Sequence, residues 1–443
     1  MHIVKTKPSA LHVLCGMFLA AILFLPSALF AQQDDHLTVD LQMMTRGEIR
    51  DGGLSPDADE AQGDWANFVL SRTRLVTNYH KRHLDAKVNI QHSGIWGQAG
   101  RGSVNIHEAW AKLSSAEGLF IQAGRIALSY DDERIIGLDD WTMTGNSHDV
   151  LRLGFDGSNH RVHLFAAFNQ NEENITSGSS FYTGGSLPYK TMQTAWYHLD
   201  IPQASLGFSL LAMNIGMQAG EQGKNEHLEW QQLAGGYAKW TPINGTLSLE
   251  ASYYRQMGKD ENGLKIDAWM ASAKATVNPS SALGFEGGYD YLSGDPYFAV
   301  PASGEIGLTR HEVVRGFNPV YGSHHKFYGA MDFFYVSTYF HGFTPGLQNA
   351  WLGVKYQPLS WLNVAGAYHY MSTAIKLDNM DRNLGHQFEL SASCQLIQDV
   401  NLTMGVSYMT GAETMERLKR ASDDGRLRWY WLSLNVNPRI FTH

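Results

Sequence analysis

The segment from Tyr130 to Trp141, YDDERIIGLDDW, carries five carboxylates within ten residues. Paired carboxylates can act as general acid and base, and clustered carboxylate oxygens are the ligands that Ca²⁺ prefers. A third interpretation is a loop that narrows a pore and pairs with arginines of its wall. No glycosidase-like context surrounds the segment, so the third interpretation is favoured, and a calcium site in an extracellular loop stays open. The acids concerned are Asp131, Asp132, Glu133, Asp139 and Asp140, with Asp149 shortly after.

The two ends of the sequence and its cysteines limit the class of protein. Residues 1–31 combine a basic start, an apolar run from Leu11 to Leu25 and small residues before Gln32, which predicts an export signal. Residues 32–443 then form one domain, because no linker or low-complexity tract divides them. Cys394 is its single cysteine, which excludes a disulfide framework, and no apolar run there is long enough for a membrane helix.

The elements that would position the acidic segment alternate with period two. In LDAKVNIQ (84–91), QFELSASCQL (387–396) and NLTMGVSY (401–408), apolar and polar residues occupy successive positions. This pattern is typical of strands with one apolar and one polar face. About eighteen such segments lie between residues 37 and 440.

The connections between these segments alternate in length. Tight turns are predicted at 80–82, 157–159, 243–245, 278–280, 358–360 and 397–399, and longer loops at 51–65, 130–146, 171–190, 217–227, 293–345, 375–384 and 412–425. Short turns at one end and long loops at the other are typical of an outer-membrane barrel. Only a closed barrel satisfies every backbone group of a sheet in lipid. The sequence therefore predicts an all-β, transmembrane, antiparallel up-and-down β-barrel of about 18 strands in the outer membrane of a Gram-negative cell.

A barrel of this size encloses an aqueous channel, so its polar strand faces should line water. The first seven strands contribute more bases than acids to that face, and the later strands are mildly acidic. One interpretation is a basic path that steers anions; the other is that these charges pair across neighbouring strands. The path residues expected from the faces are Arg46, Arg72, Arg74, Lys87, Arg152 and Arg161.

The 293–345 connection is the longest and carries many aromatic residues, including Phe317, Tyr321, Phe327 and Tyr328. Part of it, 327–340, is expected to form further strand or to fold inward as a plug. The pair His324-His325 lacks further ligands at fixed spacing, so a metal site there is not expected. No nucleophile elbow, HExxH motif or phosphate-binding loop is present, and no enzymatic activity or cofactor is predicted.

The stretch GRIALSYDDERIIGLDDWTMTGNSHDVLRLGF (124–155) resembles the signature of the alginate export family of outer-membrane porins. FNPVYGSHHKFYGAMDFFYV (317–336) and GAETMERLK (411–419) resemble the versions found in its Bacteroidetes-type members. The resemblance implies an eighteen-stranded barrel with an arginine-lined path for an anionic polysaccharide. It adds Arg125 and Arg134 to the path, beside Arg152, with Asp131, Asp132, Glu133 and Asp149 as their partners. Arg125 lies on the apolar side of its strand, so either Gly124 marks a bulge or the arginine lies above the lipid.

The predicted function is a passive outer-membrane channel for anionic solutes or oligosaccharide. The alternatives are a general diffusion porin without substrate preference, and a plugged structural or surface-binding barrel. Expected partners are outer-membrane lipid and lipopolysaccharide, small anions or an anionic oligosaccharide, and the barrel-assembly machinery. With a net charge of −9, no nucleic-acid partner is expected.

Overall fold

The computed structural model describes residues 35–51, 65–98, 100, 102–171, 173, 181–184, 187–243, 245–295, 313–334, 344–377, 379–419 and 426–443. The predicted export signal at 1–31 lies outside these residues. Within them, no helix is long and apolar enough to cross a membrane.

In the part of the chain that the structure describes, twenty strands form one sheet. Their bounds are β1 His36–Asp51, β2 Ala66–Lys81, β3 Leu84–Ile95, β4 Ser103–Ser114, β5 Leu119–Ile126, β6 His148–Asp156, β7 His160–Phe168, β8 Tyr189–Ile201, β9 Leu206–Ala219, β10 His227–Ile243, β11 Leu247–Lys259, β12 Lys265–Val277, β13 Leu283–Leu292, β14 Val313–Val314, β15 Leu347–Leu359, β16 Leu362–Ser372, β17 Asn383–Ile397, β18 Val400–Gly411, β19 Arg426–Val436 and β20 Arg439–Thr442. A short helix, Glu413–Lys419, follows β18.

The sheet closes on itself. Each long strand pairs antiparallel with the next, β13 pairs with β15, and β1 pairs with β19 through Met43–Asp51. The two-residue β14 only flanks β12, and β20 continues the last strand along the start of β1. The closed ring therefore has eighteen antiparallel strands, which confirms the predicted fold. Closure leaves no edge strand, as a sheet in lipid requires.

The connections also follow the predicted alternation. β2 and β3 are joined at Arg82, and β17 and β18 at Asp399, both with a left-handed backbone (φ 51° and 62°). The other end carries the long connections, much of which lies outside the described residues. Long loops are extracellular and short turns periplasmic in barrels of this kind.

The two faces of the wall differ as the alternation predicts. Large apolar side chains such as Val88, Ile90, Leu390 and Leu432 are exposed on the outer face. Aromatic residues near strand ends, including Trp96 at 62% exposure, fit an interfacial girdle. The inner face carries polar side chains, many of them buried.

Two connections fold into the lumen and bury those polar groups. One is residues 127–147, between β5 and β6, here the constriction loop. The other is residues 315–334 of the long 293–345 connection, here the lumenal segment. Phe317, Tyr321 and Tyr328 of that segment are buried in the same hydrophobic core as Leu128 and Ile136 of the loop. The segment thus folds inward; the described part of the expected 327–340 strand, 327–334, is not a strand, and 335–340 lie outside the described residues.

Candidate functional site

The constriction loop is fixed to the β1–β2 wall through Asp140. Its carboxylate accepts a hydrogen bond from Arg74 Nη1 at 2.5 Å and lies 3.1 Å from Arg72 Nη1. Arg72 Nη1 also donates to the backbone carbonyls of Asp140 and Thr142, at 3.0 and 2.9 Å. The side chains of Arg72 and Arg74 are only 5% and 4% exposed. These two arginines therefore hold the loop and present little surface to water.

Arg46 anchors the neighbouring residue of the loop. Its Nη1 donates to the carbonyl of Trp141 at 2.9 Å, and its guanidinium lies 4.0 Å from the centre of the indole ring. Its Nε pairs with Glu48 at 2.8 Å, and Glu48 also pairs with Arg50. Trp141 is thus held between Arg46 on one face and His325 of the lumenal segment, stacked at 4.0 Å.

Arg134 fixes the constriction loop to a distant wall. Its guanidinium pairs with Asp132 at 3.1 Å and with Asp290 of β13 at 2.8 Å. It also donates to the hydroxyl of Tyr328 at 3.0 Å and lies over the ring of Phe327. Burial would lower the pKa of the guanidinium, but the facing Asp290 and Tyr328 outweigh it and raise that pKa. Arg134 is therefore a structural cation that connects three elements.

Glu133 joins the two inward segments directly. Its carboxylate accepts hydrogen bonds from Ser129, from Ser323 at 2.7 Å and from Lys326 at 2.5 Å. Burial alone would raise the pKa of this carboxyl, but the bond from Lys326 and the two hydroxyl bonds lower it. A backbone bond from Gly137 N to the carbonyl of Tyr321, 2.9 Å, continues the contact.

The backbones of the two segments approach so closely that a side chain would not fit at two points. A Cβ on Gly137 would lie 2.5 Å from Ser323 Oγ, and a Cβ on Gly322 would lie 2.2 Å from the carbonyl oxygen of Arg134. The segments consequently behave as one packed unit inside the barrel.

The remaining acids of the opening segment have separate environments. Asp131 accepts a hydrogen bond from the indole of Trp196 at 3.1 Å, and burial raises its pKa. Burial also raises the pKa of Asp132, against the opposing effect of Arg134. Burial raises the pKa of Asp139 to about 6, with Asp332 adding to the effect. The cluster in the sequence is therefore dispersed in space.

Within the described residues, no group of three or more His, Cys, Asp or Glu side chains is arranged to hold a metal ion. The hypothesis of a calcium site in the constriction loop gains no support from this arrangement. His325 instead bonds Asp332 at 2.7 Å.

Arg125 and Asp149 lie outside the lumen. They face each other on β5 and β6 with no break in the register, at positions whose neighbours Leu119 and Leu151 point outward. Two hydrogen bonds of 2.9 and 2.7 Å join them, and both side chains are nearly half exposed. Gly124 does not shift the register, so the arginine takes the alternative position above the lipid. Neither side chain of this pair lines the lumen.

The other expected path residues are mostly paired. Lys87 contacts Glu108 at 2.5 Å, and Arg161 contacts Asp200 at 2.6 Å. Arg152 donates to Gln122 and to the hydroxyl of Tyr130, but in the described chain no carboxylate lies within ion-pair distance of it. The pairing interpretation thus describes most single residues, and Arg152 departs from it.

Several residues of the site escape sequence reasoning. Asp290, Ser323, Lys326 and Tyr328 contact the constriction loop from positions more than 150 residues away. Their only signal is polarity at an inward strand position, for Asp290, or within the aromatic connection, for the rest.

The comparisons with known proteins agree with this architecture. A family model described as alginate export matches residues 31–403. No curated protein sequence matches the chain. Among solved structures, Pseudomonas aeruginosa OccK2 (OpdF) superposes with a TM-score of 0.60 at 12% identity, covering 91% of this chain and 98% of that one. OccK2 has also been solved in complex with glucuronate.

Two further structures show the same fold. P. aeruginosa OccK5 (OpdH) superposes with a TM-score of 0.58 at 10% identity, covering 91% of this chain and 98% of that one. A BenF-like porin from Pseudomonas fluorescens Pf-5 gives 0.59 at 10% identity, with 91% and 99% coverage. At these identities the likeness concerns the fold. Because the family model spans most of the chain, the protein belongs to the alginate export family, and it is a non-enzymatic outer-membrane β-barrel channel.

Proposed function

We propose that this channel passes anionic, sugar-sized solutes, with uronic acids or short uronate oligosaccharides as the substrate class. The observation that carries the proposal is the excess of guanidinium groups on one wall of the lumen. Arg46 and Arg50 share Glu48, and Arg72 and Arg74 share Asp140. Each shared carboxylate leaves one positive charge without a partner of its own.

The surroundings strengthen the effect of these charges. The inward segments narrow the lumen beside this wall, and a constriction between low-dielectric surfaces concentrates the field of fixed charges. An anion entering the constriction therefore meets an attractive potential even though most individual bases are paired. The family description and the glucuronate complex of OccK2 support a uronate as the solute.

Two other functions remain as alternatives. A general diffusion porin would show no preference among small solutes. A plugged barrel is favoured by one observation, the contact between the two inward segments through Glu133, Ser323 and Lys326.

The channel has further proposed partners. They are outer-membrane lipid and lipopolysaccharide around the apolar band, and the assembly machinery during biogenesis. Membership in a Bacteroidetes-type branch stays a prediction that rests on segments 317–336 and 411–419.

Single-channel conductance of refolded protein in a planar bilayer tests the proposal. A salt gradient gives a reversal potential, from which the ratio of anion to cation permeability follows. We expect an open, anion-selective channel that glucuronate blocks at lower concentration than glucose does. Equal permeability to both ions and equal effects of the two sugars would favour the general porin. Absence of conductance would favour the plugged barrel.

A further inference from the structure

A cavity of about 470 Å³ opens in the lumen on the periplasmic side of the constriction loop. Strands β1 to β6 form its wall, and Ala127 and Ser129 of the loop form its upper end. Its volume falls in the range of about 300–1,000 Å³ that is common for small-molecule sites. We propose that this cavity is a binding subsite for one uronic acid unit, with Arg152 as the group that binds the solute's carboxylate. The inference rests on the proposed function and assigns the binding of uronate to one place in the lumen.

The strand register builds the floor of this subsite. Lys112 on β4 lies opposite Gln122 on β5, and Gln122 lies opposite Arg152 on β6. The three side chains therefore form one row across neighbouring strands. The ring of Phe120 lies beside this row, 4.1 Å from Lys112 Nζ and 5.2 Å from Arg152 Cζ. Two cations thus border the same ring.

Arg152 differs from the other expected path bases in its partners. Gln122 and the Tyr130 hydroxyl are neutral, and Arg152 Nε has no hydrogen-bond partner in the described chain although it is buried. Guanidinium groups bind carboxylates with two parallel N–H bonds, and a charged donor without an acceptor is costly when buried. Nε is closed to solvent, but Nη1 and Nη2 each keep a second N–H beside their bonds to Tyr130 and Gln122, and a carboxylate from the solute would accept hydrogen bonds from those two groups. Arg74 Nη2 also has no hydrogen-bond partner in the described chain, but Arg74, like Arg72, already contacts a carboxylate, that of Asp140, and holds the constriction loop.

The rest of the lining suits a sugar acid better than an inorganic anion. Asp85 and Glu108 border the cavity, and each already has a cationic or imidazole partner, Lys87 for Glu108 and His80 for Asp85. These carboxylates would repel a free phosphate, but they can accept hydrogen bonds from hydroxyl groups. Trp110 adds an aromatic face against which a sugar ring can pack. Arg152 would bind the carboxylate of a sugar acid, the acidic side chains would accept hydrogen bonds from its hydroxyl groups, and the indole of Trp110 would pack against its ring.

The test compares block of ion current by glucuronate and by glucose in wild-type protein, Arg152→Gln and Arg125→Gln. Arg125→Gln is the matched control, because it removes an arginine that lies outside the lumen. We expect Arg152→Gln to weaken glucuronate block by about tenfold or more, the loss typical of a charge-assisted hydrogen bond. Glucose block should change little, and the control should behave like the wild type.

The outcomes separate the subsite from the proposed function. If glucuronate blocks the wild type better than glucose does, but equally in Arg152→Gln, the subsite is wrong and the proposed function stands. If glucuronate and glucose block the conducting wild type equally, uronate selectivity is wrong, and the subsite with it. Should Arg152→Gln not refold, Arg152→Lys replaces it. A lysine keeps the charge without the two parallel donors, so a several-fold weaker block is expected, and wild-type block would overturn the inference.

Discussion

Replacing Asp140 with asparagine tests whether the constriction loop is held by two wall arginines. The carboxylate contacts Arg72 at 3.1 Å and Arg74 at 2.5 Å, and both arginine side chains are almost fully buried. Removing one partner of a buried pair costs about 3–5 kcal/mol. Asp140 itself is 50% exposed, so solvent screening reduces this figure.

Two contacts survive the substitution and reduce the cost further. The asparagine oxygen can still accept one hydrogen bond, and Arg72 keeps its bonds to the backbone carbonyls of residues 140 and 142. We therefore expect a loss of about 1–2 kcal/mol in loop docking, with about 1.4 kcal/mol corresponding to a tenfold rise in the undocked population. A docked loop and an undocked loop leave different cross-sections in the lumen.

The assay is the current noise of single open channels at fixed voltage. Asp140→Asn should show more frequent excursions to other conductance levels than the wild type. The matched control is Asp149→Asn, which makes the same chemical change in the outward pair with Arg125. Wild-type noise and conductance in Asp140→Asn would refute the assigned role of Asp140, as would equal effects in both variants.

Three further outcomes are expected. The pKa of Asp139 is raised to about 6 from an ordinary value of 3.8, so protonation of this carboxyl stabilises the docked loop. This stabilisation is complete below about pH 3.8 and is lost as the pH rises through about 6. Asp139→Asn should remove this part of the pH dependence of channel noise, and a wild-type noise profile between pH 4 and 7 in the variant would contradict the prediction. Burial lowers the pKa of His324 to about 4, so the titration of His324 affects loop docking in the opposite direction, and it does so in both proteins. Arg134→Met leaves Asp132 and Asp290 without their buried partner and should destabilise the lumenal unit by about 3–5 kcal/mol, seen as a lower unfolding temperature in detergent than for Arg125→Gln. Tyr328→Phe removes one hydrogen bond to that guanidinium and should cost about 1.5–3 kcal/mol in the same measurement; no change in unfolding temperature would mean that the hydroxyl contributes nothing.

The barrel itself is readable from the sequence, because its signal is local. Each strand shows its two faces within about ten residues, and each periplasmic turn is marked by its shortness. The alternation of Val88 and Ile90 with Asn89 and Gln91 predicts which side faces outward, and the burial of the two polar residues agrees with it. Period two leaves little freedom, since a slip by one residue would expose the whole polar face to lipid.

The contacts inside the lumen are not local and could not be predicted in the same way. Glu133 finds Lys326 and Ser323 about 190 residues away, and Arg134 finds Asp290 on β13. The acidic segment predicts a loop that pairs with arginines of the wall, but charge counts along the strands do not show which arginines, Arg72 and Arg74, contact Asp140. The alternation of its strand predicts that Arg125 faces outward, whereas the family resemblance implies that it lines the path. The structure agrees with the alternation.

The two inward segments also have a mechanical consequence. Through Asp140 and Arg134, the constriction loop connects the β1–β2 wall to β13. The lumenal segment connects β11 to β17, through Gln256 to Asn318 and through Glu389 to the backbone of Ala330. The cross-section of a wide barrel in a fluid bilayer can flatten with little change in its hydrogen bonds. The constriction loop and the lumenal segment cross the lumen in two directions, so they oppose that flattening. The same residues that set the width of the passage would then set the stiffness of the whole cross-section.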